Sequence, residues 1–486
     1  MVRRGRQQLA LGSLLRWESL EKAAEIPPVH RIYVNRTLRM SGIEAIGFDM
    51  DHTLALYDTG PFERLAFEQA KQKLLAAGYP KEIEKLRYDA SFVIRGLVVD
   101  KRRGNILKMD QHHYVARATH GTTPLPDEIR KRLYQRHLVR LSAREYVPVD
   151  SPFSLPEIDL YAQLVDLIDR LHWRPRSYRT LYDEVRRAMD EAHADGSIKD
   201  EIARAPGRFL LRDRALPRTL DHLKKHGYRL FLLTNSEASY TSLIMDRLLS
   251  RTSTAHRQWS EFFDLIVVRA GKPSFFGNRQ TAVPIGLPGA DSPAGGIKAF
   301  AGGGVRDLER RLGCRGDRIL FFGDHTYGDI LKSKRVCLWR TAMVVQELEK
   351  EVMTVEQLAE PLATLRRHLA RGTRLDRVRD HVEQVANGTL SATKSPLKQT
   401  EARQLLVSLD RRIETLTCEI LKLERACDSR HNVHWGSIFR TEHEASHFAA
   451  QVRDFACIYT GRVSNFLYYP VDKYFQVRPE VMPHER

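Results

Sequence analysis

The sequence predicts an α/β fold built on a doubly wound parallel sheet, and three observations carry that expectation. Short apolar runs at 43–50, Arg229–Leu233, Leu265–Val268 and Ile319–Phe322 alternate with stretches of helical periodicity. That strand–loop–helix rhythm is the rhythm of open parallel sheets. Three of the runs end directly in a side chain suited to chemistry, at Asp49, Thr234 and Asp324. In such sheets ligands bind beyond the carboxyl ends of the strands, so these three are expected on one rim. The chain of 486 residues exceeds what one core organises, and it calls for two or three domains or subdomains.

Taken in order, residues 1–40 form a basic arm containing Pro27-Pro28, and 43–50 read as a buried strand. Residues 62–78 read as a helix, with Leu65, Phe67, Leu74 and Leu75 on its apolar side and Gly78 as its stop. Residues 92–115 alternate as strands around the turn Arg103-Gly104-Asn105. Two helices follow, at 155–172 and at 178–195 before Gly196. The stretch 277–304 is rich in Gly and Pro and reads as an irregular excursion. After a polar linker at 390–400, Leu406, Leu409, Ile413, Leu416, Ile420 and Leu423 alternate three- and four-residue steps. This heptad seam can pair within the chain as a hairpin or between chains as a subunit contact. The aromatic C-terminal stretch, with Trp435, Phe439, Phe466, Tyr468, Tyr469, Tyr474 and Phe475, reads as folded.

Composition narrows the class. Hydrophobic content of 42% and charged content of 29% are ordinary for a soluble globular protein. No apolar run reaches the roughly 20 residues that cross a bilayer, and the N-terminus lacks the apolar region and cleavage site of a secretory signal. Five scattered cysteines without a CxxC pair point to reduced thiols in a cytoplasmic protein. The net charge of +17 is spread along the chain, without a basic block interleaved by aromatics. It suits an anion-attracting cleft more than a nucleic-acid surface.

The chemistry concentrates in Ile46-Gly-Phe-Asp-Met-Asp-His-Thr-Leu54. Phosphoryl transfer through an aspartate needs a nucleophile, a proton donor for the leaving oxygen, cations on the phosphate, and metal ligands. Asp49 fits the nucleophile, and Asp51 fits the acid that becomes the base. Thr234 is placed to donate to a phosphate oxygen, with Asn235 and Ser236 beside it, and Lys272 supplies positive charge. Gly323-Asp324-His-Thr-Tyr-Gly-Asp329 supplies carboxylates for Mg²⁺, a hard cation preferring oxygen. Singly, each piece is an ordinary turn or cap. Together and in this order they describe one site.

This set resembles the haloacid-dehalogenase superfamily. Longer segments narrow the resemblance to the cytosolic purine (IMP/GMP-preferring) 5′-nucleotidases: Phe48-Asp-Met-Asp-His-Thr-Leu54, Thr234-Asn-Ser236 with Tyr240, Lys272-Pro-Ser-Phe-Phe276 and Gly323 through Lys334. Arg95-Gly-Leu97, Gly104-Asn-Ile-Leu-Lys108, Trp435-Gly-Ser-Ile-Phe-Arg440 and Asn465-Phe-Leu-Tyr-Tyr-Pro470 add to it, from about residue 30 to the C-terminus.

The resemblance implies a haloacid-dehalogenase-like core at 41–60 plus 205–375 and an inserted, mostly helical cap for substrate specificity at 61–204. It also implies a C-terminal helical extension at 376–486 that packs on the core and offers an oligomer contact. It implies Mg²⁺ held by Asp49, Asp51 (through its backbone carbonyl) and Asp324, with Asp329 binding or orienting that shell. Purine monophosphate contacts would come from Phe153, Arg186, Asp190, His193 and Lys199. A homo-oligomer (dimer or tetramer) and nucleosides as phosphate acceptors are implied too. Family members bind ATP-like effectors near positions matched by Tyr327, Arg335 and Gln451. Asp150 and Asp454 depart from that pattern and would repel a polyphosphate. Two other readings are a phosphatase of another small phosphate ester, and a non-catalytic basic nucleic-acid-binding protein on the same scaffold.

Overall fold

The computed structural model describes residues 25–135, 139–172, 177–249, 258–288, 298–389, 397–479 and 485. Most of the basic arm, part of the Gly/Pro-rich excursion and most of the 390–400 linker lie outside the described residues. The chain divides into two compact units, one formed by Met1–Asp58, Ala203–Glu349 and Val452–Arg486, the other by Thr59–Ile202 and Lys350–Gln451.

The first unit is organised by a nine-stranded sheet. Its order across the sheet is Tyr33–Val34, Ile458–Thr460, Arg340–Val344, Ile319–Gly323, Ala45–Phe48, Arg229–Leu233, Leu265–Val268, Ala299–Ala301 and Val283–Pro284. Every pairing from Ile458–Thr460 to Ala299–Ala301 is parallel, and the two short edge strands are antiparallel. From the central Ala45–Phe48 strand the chain steps outward through Arg229–Leu233, Leu265–Val268 and Ala299–Ala301. It then returns to the other side of the centre at Ile319–Gly323 and steps outward again. This is the doubly wound order expected of the core, and the reversal beside Ala45–Phe48 is its switch point.

The central strands are continuous apolar runs because both faces of a parallel sheet are covered. All four residues of Ala45–Phe48 and all five of Ile319–Gly323 are buried. Gly47 is required by packing: a Cβ there would stand 2.1 Å from Phe231 Cζ. That ring belongs to an aromatic cluster with Phe276, Phe321 and Trp339.

The second unit carries the expected helices as Thr59–Ala76, Leu155–Leu171 and Tyr178–Ala194. The strand-like alternation at 92–115 becomes a five-stranded antiparallel sheet ordered Thr123–Pro124, Val115–His120, Asn105–Met109, Leu97–Asp100 and Tyr146–Pro148. The helix carrying the heptad seam, Gln399–His431, packs on Ala359–Ala386 as an intrachain hairpin. Val382, Val385 and Ala386 pack on Ala402 and Leu409, and Arg379 pairs with Asp410 at 2.8 Å.

The domain boundaries differ from the expected ones. Residues 350–375 do not group with the core, and 376–451 do not group with it either; both group with Thr59–Ile202. Buried polar partners hold them there. Lys108 Nζ donates to the Ser437 carbonyl at 2.7 Å and to the Trp435 carbonyl, and Trp435 Nε1 donates to the Phe92 carbonyl. Glu351 accepts from Ser437 Oγ at 2.8 Å and from the Ile438 amide at 2.9 Å. Lys108 and the Trp435 indole would lose their partners if the segment left. Residues 452–486 return to the first unit, where Ile458–Thr460 joins the sheet and Tyr474–Phe475 pairs with Leu38–Arg39. The described part of the basic arm is likewise part of the first unit, through Tyr33–Val34 and Leu38–Arg39.

Candidate active site

Four strand ends of the first unit converge. Ala45–Phe48 delivers Asp49, Arg229–Leu233 delivers Thr234, Leu265–Val268 leads into the loop carrying Lys272, and Ile319–Gly323 delivers Asp324. Parallel neighbours bring their carboxyl ends to one rim, so the placement follows from the topology. The loops are also tied together. The Thr234 amide donates to the Val267 carbonyl at 2.9 Å, and the Ala270 amide donates to the Thr234 carbonyl at 3.0 Å.

Asp49, Asp324 and Asp329 are buried, and one carboxylate oxygen from each lies within 4.8 Å of the others. Lys272 Nζ stands between two of them, 2.9 Å from Asp49 Oδ1 and 2.7 Å from Asp329 Oδ1. Burial pushes the Asp49 carboxyl up to about 7; Lys272 opposes the shift, and Asp329 and Asp51 add to it. Burial acts to lower the Lys272 ammonium, but Asp329 and Asp49 outweigh it and hold it above its ordinary value.

Three carboxylates against one ammonium leave an excess of negative charge in a buried place. Oxygen-only donors this close suit a hard divalent cation. The residues present therefore fit a metal, and Asp49, Asp324 and Asp329 are the side chains that would hold it.

Asp329 enters this group through local backbone geometry. It lies on a π-helical turn, Thr326–Leu331, that folds back over the end of the Ile319–Gly323 strand. Such turns recur at functional sites. The turn passes so close that a Cβ on Gly323 would stand 2.4 Å from Asp329 Cβ. Asp329 was expected to bind or orient the metal shell, and its carboxylate sits among the three. Asp51, expected as a ligand through its backbone, does not bring its side chain into this group. Its Oδ1 accepts from Tyr57 Oη at 2.6 Å and its Oδ2 from Ser236 Oγ at 2.8 Å.

Asn235 and Ser236, expected on substrate, have structural duties here. Asn235 accepts from the Lys272 amide at 2.7 Å and donates to the Lys272 carbonyl at 3.0 Å, which clamps the loop that presents the ammonium. Ser236 holds Asp51, and its own amide donates to Thr234 Oγ1 at 3.1 Å. Tyr57 escaped the sequence reading, although it follows Asp51 by only six positions at the end of an apolar run.

The residues expected to meet a purine lie in the second unit. Arg186, Asp190 and His193 share the Tyr178–Ala194 helix, and Lys199 opens the short helix Lys199–Arg204. The Phe153 ring meets Phe62 and His193 edge-on, with centroids 5.7 and 5.8 Å away. Arg186 pairs with the buried Glu157 at 3.0 Å and with Asp190 at 3.2 Å. Glu157 was not singled out from sequence; its position one turn after Phe153 was the available signal. Burial first, and then the Lys199 charge, pull His193 down to about 4.

Comparison with known proteins places these residues in context. The model of the 5′ nucleotidase family matches residues 32–486. A 5′-nucleotidase domain-containing protein of Dictyostelium discoideum is 28% identical over 477 residues, covering 93% of this chain and 74% of that protein. 5′-nucleotidase domain-containing protein 2 is 29% identical in Rattus norvegicus, covering 93% of this chain and 80% of that protein. In Homo sapiens it is again 29% identical, with 93% and 85% covered. Among solved structures, an archaeal β-phosphoglucomutase from Pyrococcus aligns with 63% of this chain and 88% of its own, at 10% identity and a TM-score of 0.28. A predicted phosphoglycolate phosphatase of Haemophilus somnus aligns with 63% and 86%, at 13% identity and a TM-score of 0.28. Likenesses this remote establish nothing about this chain. Among the described residues no helix is long and apolar enough to cross a membrane.

Proposed function

The chain belongs to the 5′ nucleotidase family, and on that premise we propose that it is a Mg²⁺-dependent 5′-nucleotidase of purine nucleoside monophosphates. The observation that carries the reading is the buried cluster of Asp49, Asp324 and Asp329 with Lys272 held between two of its members.

Asp49 is the nucleophile. Its carboxylate oxygen forms a bond to phosphorus as the bond from phosphorus to the 5′ oxygen breaks, and that bond's electron pair leaves on oxygen. Asp51 gives its proton to the departing oxygen. Water then opens the aspartyl-phosphate, with Asp51 taking the proton back. Mg²⁺, which Asp49, Asp324 and Asp329 would hold, would supply neutralisation of the phosphate charge. Lys272 and Thr234 hold the phosphate oxygens, and Asn235 keeps the Lys272 backbone in place. A nucleoside hydroxyl in place of water gives phosphotransfer with no change in the other residues.

Purine preference rests on Phe153, Arg186, Asp190, His193 and Lys199. Phe153 supplies an aromatic face, Arg186 a donor for a ring carbonyl and Asp190 an acceptor for a ring N–H. His193, held neutral by burial, offers one donor and one acceptor.

The test is phosphate release from IMP, GMP, AMP and a sugar phosphate, with Mg²⁺ and with a chelator. Release from the purine monophosphates that needs Mg²⁺ and disappears in Asp49→Asn is expected. Activity without a divalent metal, or full activity in Asp49→Asn, overturns the mechanism; equal rates on the sugar phosphate overturn the purine preference. Inosine as a second acceptor should divert product from free phosphate to a new nucleotide. Light scattering on the purified chain tests the expected homo-oligomer.

A further inference from the structure

Asp51 has to turn one carboxyl oxygen toward the leaving oxygen, and a free carboxyl rotates about its Cβ–Cγ bond with little resistance. The structure supplies a restraint. Tyr57 Oη lies 2.6 Å from Asp51 Oδ1, and Ser236 Oγ lies 2.8 Å from Asp51 Oδ2. Hydroxyl-to-carboxylate bonds this short are among the stronger hydrogen bonds of proteins.

Tyr57 is itself held on several sides. It is 1% exposed. Its carbonyl accepts from Gln346 Nε2 at 2.7 Å. The Met50 carbonyl accepts the amides of Thr53, Leu54 and Ala55 at 3.3, 3.0 and 2.9 Å, folding the chain back so that Tyr57 faces Asp51. Tyr240 Oη stands 3.0 Å from Tyr57 Oη. A phenol has one proton to donate. Tyr57 spends its proton on Asp51, so the Tyr240 hydroxyl must donate to Tyr57, and the chain of donors runs Tyr240 to Tyr57 to Asp51. The Ser236 hydroxyl sits on a loop and can rotate from donor to acceptor by itself; the Tyr57 hydroxyl, bonded to Tyr240 Oη, reverses only if the Tyr240 hydroxyl turns with it.

We propose that Tyr57 is a positioning residue that fixes the rotation of the Asp51 carboxyl through Oδ1, leaving Oδ2, on the Ser236 side, to carry the proton to and from the reacting oxygens. Tyr240 locks Tyr57 in the donating orientation. The proposal rests on the nucleotidase reading above and refines its proton step. That step matters only when the leaving oxygen needs a proton.

The experiment compares inosine 5′-phosphate with its analogue in which sulfur replaces the bridging 5′ oxygen. Base, sugar and phosphate are kept, but the thiolate departs without a proton. Tyr57→Phe is expected to lower kcat/KM on inosine 5′-phosphate by about 10- to 100-fold, less than the roughly 100- to 10,000-fold of a whole general-acid contribution because Asp51 itself remains. Its loss on the sulfur analogue is expected to stay below about 3-fold, since no proton is needed there. Tyr240→Phe should shift the same ratio in the same direction by a smaller factor. Because both substrates are assayed on one preparation, the ratio is blind to how much of a variant is folded. Equal losses on the two substrates, or no loss on either, overturn the proposal and leave the nucleotidase reading standing. A wild-type chain that releases phosphate from neither substrate overturns the nucleotidase reading, and this proposal with it.

Discussion

Replacing Gly323 by Ala tests whether the π-helical turn really assembles the site. The added Cβ would lie 2.4 Å from Asp329 Cβ, 2.8 Å from its Cγ and 2.9 Å from its Oδ2. Ordinary contact begins near 3.4 Å, so Asp329 must retreat by about 1 Å, a displacement of the size that costs around 100-fold in rate when it misplaces reacting groups. The turn cannot absorb this cheaply. The Asp329 amide donates to the His325 carbonyl at 3.1 Å, and Ser333 Oγ donates to the Asp329 carbonyl. The contact of Asp329 with Lys272, 2.7 Å in the native chain, would open beyond hydrogen-bonding distance. We therefore expect kcat/KM for IMP to fall about 100-fold and the stability cost of overpacking to be about 1–3 kcal/mol. Phosphate release at saturating Mg²⁺ measures the first and urea unfolding the second. An Ala variant within about 3-fold of wild type, against the 100-fold expected for such a displacement, would refute the claim that Asp329 must occupy this place.

Three further outcomes follow from the same geometry. Lys272→Met removes the cation between two buried carboxylates and should destabilise the metal-free chain by about 3–5 kcal/mol in urea, the cost of breaking a buried pair from one side, together with loss of phosphate release. Mg²⁺ at 100 times its dissociation constant should stabilise wild type by about 2.7 kcal/mol, and Asp324→Asn should shrink that gain; calorimetry with and without chelator reads both. His447, pulled down to about 4 first by burial and then by His113, is protonated in the unfolded chain before the folded one. Its contribution to stability is therefore full above the ordinary histidine pKa and is lost as pH falls toward 4. Between about pH 8 and pH 5 the loss is about 2 kcal/mol, and His447→Gln should remove that part of the acid slope in urea titrations.

How much of this was legible in the sequence depends on the range over which each feature is encoded. Asp49, Thr234 and Asp324 each follow an apolar run directly. A parallel sheet sends all such positions to one rim, so local pattern and topology together suffice to group them. The helices at Thr59–Ala76, Leu155–Leu171 and Tyr178–Ala194 were legible for the same reason, since a 3.6-residue period is a local property. The heptad seam showed an apolar face without showing what covers it, because period alone does not name the partner.

The sequence by itself determined the chemistry on offer: a paired aspartate after a strand, a hydroxyl, a lysine and a second acidic loop, in an order that a doubly wound sheet brings together. The tertiary structure decided how those groups are used. Asp329 joins the carboxylate cluster because a bare Gly323 lets a π-helical turn lie against it. Asn235 and Ser236 are committed to Lys272 and Asp51. Residues 350–451 group with Thr59–Ile202 through buried hydrogen bonds whose partners are hundreds of positions apart. The division has a physical cause. Strand ends and helix faces are set by neighbours along the chain, whereas the last ångström of a site is set by atoms that become neighbours only after the chain has folded.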